Sequence, residues 1–112
     1  MLSTFQMRDG EFGPFQYRIM EYDEPTQSLI PVDLTNKSIS FVLYEREQQT
    51  GGTYLENVFA SGSCEVLDAE DGWVQAAFPT VSAGWFRVEF PVESATMKRV
   101  YPRFDDQLIE VT

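Results

Sequence analysis

Three groups of acidic residues could set two carboxylates side by side: Glu21 with Asp23 and Glu24, Glu70 with Asp71, and Asp105 with Asp106. Paired carboxylates flanking a bond are the machinery of glycoside hydrolysis, one acting as acid and the other as base or nucleophile. All three groups fall in turn-like stretches, where Asp and Glu are ordinary solvated residues. The other candidate nucleophile is Cys64, the single cysteine. A thiol or hydroxyl attacks with the help of a base titrating near neutrality, a part that histidine fills best, and the chain has no histidine. Cys64 falls on an apolar row, which makes it a small hydrophobe rather than a reagent. The stretch "DAEDG" (68–72) offers oxygen ligands for calcium. Counting from Asp68, however, the twelfth position is Pro79, where a calcium loop needs a bidentate Glu. An Asp-Gly hairpin turn accounts for it better. Gly51-Gly52 is not followed by the Lys-Ser/Thr of a phosphate loop. The sequence thus predicts no catalytic residue, no cofactor and no metal.

Four aromatic residues point to binding instead. Tyr22, Tyr44, Trp73 and Trp85 fall on the expected outer faces of strands, where a core has no use for them. Tyr and Trp are enriched at protein interfaces because they join a large apolar body to a polar tip. The four are therefore candidate interface residues. Covering loops, or a shift of parity by one residue, would explain the same positions. Trp73 or Trp85 could also serve as a sugar-stacking platform, as in a carbohydrate-binding module for host-surface glycans.

The elements that position these residues are short strands. In "PVDLTNKSISFVLYE" (31–45), Ile39, Phe41 and Leu43 alternate with Ser40, Val42 and Tyr44, the period of a strand with one buried face. In "WFRVEFPV" (85–92), Phe86, Val88, Phe90 and Val92 face in, while Trp85, Arg87 and Glu89 face out. "WVQAAF" (73–78) turns Val74, Ala76 and Phe78 inward, and "FQYRIMEY" (15–22) turns Phe15, Tyr17 and Ile19 inward. "VFASGSCEVL" (58–67) places Val58, Ala60, Cys64 and Val66 on one face, with Gly62 in the same row allowing a bulge or a close approach. Residues 3–8, 97–102 and 108–111 complete the set. Segments 23–31 and 47–57 read as loops, the second an exposed loop or wide hairpin end. Seven to eight strands separated by turns, with no helical stripe, predict an all-β sandwich, with a closed barrel as the competitor. The strand at residues 2–8 is an edge able to pair with another chain.

At 112 residues the chain makes one domain, and its 43% apolar and 14% aromatic content is that of a packed core. With one cysteine, no disulfide forms within the chain. The first residues show no basic start and apolar run, so no signal peptide is expected. Nor is there an apolar stretch of the ~20 residues a membrane helix needs. Eighteen acidic residues against eight basic ones give a net charge of −10, which repels nucleic acid.

The succession of turns carries a family resemblance. In "FQMRDGEFGPFQYRIMEYDEPTQSLIPVDLTNKSISFVLYE", Pro31, Val32, Asp33, Leu34 and Thr35 match a recurrent corner, with Asn36 where glycine is usual. Asn tolerates the left-handed backbone that such a glycine would adopt. In "GSCEVLDAEDGWVQAAFPTVSAGWFRVEFPV", Asp68, Gly72, Val74, Gly84, Phe86 and Phe90 fall at matching points, and Tyr101-Pro102 matches near the end. The chain resembles the immunoglobulin-like domain at the N-terminus of bacteriophage baseplate upper proteins, which also occurs as small free-standing virion proteins. The resemblance implies an immunoglobulin-like β-sandwich and a non-catalytic part of a tailed-phage virion: a baseplate, tail, neck or fibre-attachment adaptor, or a capsid decoration protein. It implies other virion proteins as partners and several symmetric copies, with no nucleic acid and no membrane. Synthesis in the host cytoplasm and residence in the virion follow from the same resemblance. Where the family often has a tyrosine, this chain has Phe86, so a tyrosine-corner hydrogen bond is absent.

Overall fold

A computed structural model describes residues 3–103 and 106–112, and within them the protein is all-β. Eleven strands form: β1 (Ser3–Met7), β2 (Gly13–Arg18), β3 (Met20–Asp23), β4 (Ser28–Pro31), β5 (Ser38–Gln48), β6 (Tyr54–Ser63), β7 (Glu65–Asp68), β8 (Trp73–Phe78), β9 (Gly84–Glu93), β10 (Lys98–Tyr101) and β11 (Gln107–Val111). A six-stranded sheet runs β1-β11-β9-β5-β6, with β10 also on β9. A three-stranded sheet runs β2-β8-β7, and β3-β4 is a separate hairpin. Pairing is antiparallel except for β1 beside β11.

The core lies between the two larger sheets. The alternating rows of β5 (Ile39, Phe41, Leu43), β9 (Phe86, Val88, Phe90, Val92) and β8 (Val74, Ala76, Phe78) are all buried in one cluster. Rings cross the gap: Tyr17 stacks on Phe90 at 4.6 Å and Phe41 leans on Phe78 at 5.6 Å. Such pairs add about 0.5–1.5 kcal/mol beyond the area they bury.

Side-chain hydrogen bonds close the corner at Asp33. Asp33 Oδ1 accepts from the Thr35 amide at 3.0 Å and the Thr35 hydroxyl at 2.7 Å, Leu34 is buried, and Asn36 is left-handed at φ +60°. The Thr35 hydrogen bonds hold the Asp33 carboxyl below its ordinary range. Gly72, at φ +78°, is equally constrained. A Cβ there would meet the Ile19 carbonyl oxygen at 2.6 Å, and the Gly72 carbonyl accepts from the Ile19 amide at 2.8 Å.

Several expectations need correction. The strand count exceeds seven to eight because two runs are subdivided and β4 is added. Residues 15–22 break at Ile19, and residues 58–67 break at Cys64, where the chain leaves one sheet for the other. Residues 23–31 are not simply a loop: β3 and β4 pair from Met20↔Pro31 to Asp23↔Ser28, and Asp23 Oδ2 accepts from Thr26 Oγ1 at 2.6 Å across their turn. Residues 47–57 are mostly strand, since β5 runs to Gln48 and β6 begins at Tyr54. Only 49–53 turn, with Gly51 and Gly52 both at positive φ. Val58 is not inward. The register slips between Leu43↔Ala60 and Tyr44↔Val58, so Phe59 is an extra residue and Val58 flips to the outer face, 62% exposed. Val66 does sit opposite inward Val74, but on an edge strand it remains exposed. Gly62 makes the close approach, its Cβ position 3.1 Å from the Phe41 ring. The edge expected at residues 2–8 spans Ser3–Met7 and pairs on one side with β11.

Candidate functional site

The outer face of the six-stranded sheet is the most organised surface of the molecule. Pairing sets Trp85 opposite Arg46 and Arg87 opposite Tyr44, while β6 places Glu56 beside Arg46 and Val58 beside Tyr44. All lie on the rows opposite the core because their neighbours Leu43, Phe86 and Val88 point inward. The Arg87 guanidinium lies 4.5 Å over the Tyr44 ring and reaches across β5 to Glu56. There it donates from Nε to Oε2 at 2.9 Å and from Nη2 to Oε1 at 3.0 Å, a two-pronged fork. Its Nη1 pairs with Glu89, which also accepts from the Tyr44 hydroxyl at 3.2 Å. Arg46 lies 4.3 Å over the Tyr54 ring, and its Nε sits 3.1 Å from Glu56 Oε2 without hydrogen-bond geometry.

Charge follows geometry here. The Arg87 fork holds the Glu56 carboxyl below the ordinary range, and the Glu56 hydrogen bonds hold Arg87 more firmly protonated than usual. Partial burial, reinforced by Glu89, raises the Tyr44 phenol. Five polar and aromatic side chains from three strands are therefore fixed before any partner arrives. Trp85, 40% exposed, stands at one side of this array.

The four sequence-predicted aromatics do not form one patch. Tyr44 and Trp85 share this face. Trp73 lies on the outside of the three-stranded sheet, opposite Arg18, whose guanidinium is 5.9 Å from its ring. Tyr22 is exposed on the β3–β4 hairpin opposite Leu29. Sequence reading did not single out Arg46, Tyr54, Glu56 or Val58 as site residues. Tyr54 and Glu56 lie in the segment that the sequence reads as a loop, and Val58 in the row that it reads as one apolar face.

Several of the acidic residues are engaged in turns and ion pairs. Glu21 accepts from Arg99 at 2.8 Å, Asp71 pairs with Arg18, and Asp68 accepts from the Asp71 amide at 3.2 Å. Asp105 lies outside the described residues. Burial pushes the Cys64 thiol up to about 12, far from the thiolate that attack requires. Among the described residues no group of three His, Cys, Asp or Glu is placed to hold a metal ion, and no helix is long and apolar enough to cross a membrane. No protein-family model matches the chain, and no curated protein matches it in sequence.

Proposed function

We propose that the chain is a non-catalytic assembly module, a structural component of a tailed-bacteriophage virion with an immunoglobulin-like sandwich fold. The observation that carries this reading is the pre-paired outer face of the six-stranded sheet. Arg46, Glu56, Arg87, Glu89 and Tyr44 are already ordered there, so docking a partner against Trp85, Tyr54 and Val58 freezes few side chains. Burying an aromatic anchor among pre-ordered neighbours is how protein interfaces concentrate their affinity.

The strand order supports the fold reading. The chain changes layer between β2 and β5, between β6 and β7, and between β8 and β9, so that β2-β8-β7 faces β11-β9-β5-β6 with β5 beside β9, as in the two sheets of an immunoglobulin-like sandwich. The likeness of the Asp33 corner, the Gly72 turn and the Phe86–Phe90 strand to the baseplate upper-protein domain supports the virion setting. Partners are then other virion proteins of tail, baseplate, neck or fibre, with capsid decoration as the alternative station. Particle symmetry sets the copy number. Trp73 and Trp85 lie on different sheets, so a carbohydrate-binding role, the alternative reading, would rest on one of them alone.

Two measurements test the proposal. Mass spectrometry of purified virions encoded by the same genome should find the chain in stoichiometric amount, and its absence would overturn the reading. Trp85→Ala should lower incorporation at least fivefold while the isolated domain stays folded. Normal incorporation would remove this face as the contact.

A further inference from the structure

We infer that the continuous edge formed by β6 and β7 receives an extended, basic segment of another protein by strand addition. This rests on the reading of the chain as a binding module and names the chemistry of what it binds.

From Tyr54 to Asp68 the polypeptide borders both layers in turn. β6 pairs only with β5, and β7 only with β8, among the described residues. The change of sheet is made at Cys64, whose amide donates to the Ile39 carbonyl at 2.9 Å. The side of this segment away from β5 and β8 carries backbone groups with no strand partner, the template for adding another strand. Folded proteins usually blunt such edges with lysine or proline. Residues 54–68, "YLENVFASGSCEVLD", contain neither, nor any arginine. The bulge at Phe59 bends the edge once and leaves Tyr54–Val58 and Ala60–Ser63 as regular runs on either side. Tyr54, Leu55, Val58, Phe59, Val66 and Leu67 are all exposed along it.

Charge selects the occupant. No lysine or arginine occurs from residue 47 to residue 86, while Glu47, Glu56, Glu65, Asp68, Glu70 and Asp71 do. Glu56 and Asp71 are neutralised by arginines from other strands. Glu47, Glu65, Asp68 and Glu70 remain as the charges presented around the edge. A second copy would set these acids against their equals, which is repulsive. A segment mixing basic and apolar residues would meet both kinds of side chain, which share rows here: Tyr54 and Val58 lie on one face of β6 with Glu56, and Leu67 lies on one face of β7 with Glu65.

The test uses the intact chain and three ten-residue peptides: alternating Lys-Val, alternating Glu-Val, and the Lys-Val peptide with alternate amides N-methylated. Calorimetry should show the Lys-Val peptide binding at least tenfold more tightly than either other peptide. Hydrogen-exchange mass spectrometry should place the new protection within residues 54–68. Glu65→Lys and Leu67→Lys, both at exposed positions, should each weaken binding at least threefold without loss of folding. Equal binding of the N-methylated peptide would reduce the effect to bulk attraction by an acidic protein and overturn the inference. So would protection elsewhere, or self-association in sedimentation that Leu67→Lys abolishes, which would make the occupant a second copy. A chain present in virions that ignores the peptides would defeat the edge inference alone. One that binds them but is missing from virions would defeat the virion reading alone.

Discussion

The outer face of the six-stranded sheet and the β6–β7 edge share a strand but solve opposite problems. On the face, Arg87 forks onto Glu56 and pairs with Glu89, Arg46 lies against Glu56, and two guanidinium groups lie on tyrosine rings. Along the edge, backbone groups and apolar side chains are left open, and the nearby acids include several without a basic neighbour in sequence. Surface order therefore depends on position in the sheet. Central strands have neighbours on both sides with which to build a network, and an edge strand has a neighbour on one side only.

The largest blow to this contrast strikes beneath both regions. Phe86 is buried under the face and meets Phe59, the bulge residue of β6, edge-to-face at 5.2 Å. Phe86→Ala should cost about 3–5 kcal/mol, read by denaturant unfolding. It should disorder face and edge together. A loss confined to the edge would show that the face does not depend on the shared core.

Gly72→Ala should come next, at about 2–4 kcal/mol, because its Cβ would press on the Ile19 carbonyl and its backbone is left-handed. It lies in the turn before β8, far in sequence from the Arg87 network. Thermal unfolding should fall while the Glu56 titration in the surviving folded state stays depressed.

Arg87→Ala should cost about 1–2 kcal/mol, more than an isolated surface ion pair, because it removes a forked contact and leaves Glu56 with Arg46 alone. In carboxyl-observed NMR, Glu56 should then titrate closer to the ordinary value of about 4.3. The same network predicts a pH dependence. The folded Glu56 value is depressed, so its contribution to stability is complete above the unfolded value and is lost as pH falls through the folded one. Stability should decline on acidification below about pH 4.3, and Arg87→Ala should flatten that decline. An unchanged acid limb would mean that the Arg87–Glu56 pair adds little.

The smallest effect belongs to the edge. Leu67→Lys should alter stability by no more than about 0.5 kcal/mol, since the side chain is exposed and joins no network. A cost above ~1.5 kcal/mol would reveal hidden packing there and erase the difference between the two regions.

What the sequence determined by itself was whatever depends on neighbours in the chain. Alternation in β5, β8 and β9 named their buried rows correctly, because a strand with one wet face must repeat every two residues. Asp33, Thr35 and Asn36 specified their corner through bonds spanning two residues and one left-handed backbone position. Tertiary structure decided the rest. The bulge at Phe59 reversed the face of Val58, a one-residue shift that composition does not encode. The crossing at Cys64 divided one apparent strand between two sheets. Most of all, Glu56 and Arg87, 31 residues apart, met only because β6, β5 and β9 lie side by side. Strand order is fixed by which rows bury together across the core, a property of the whole chain and not of any segment of it.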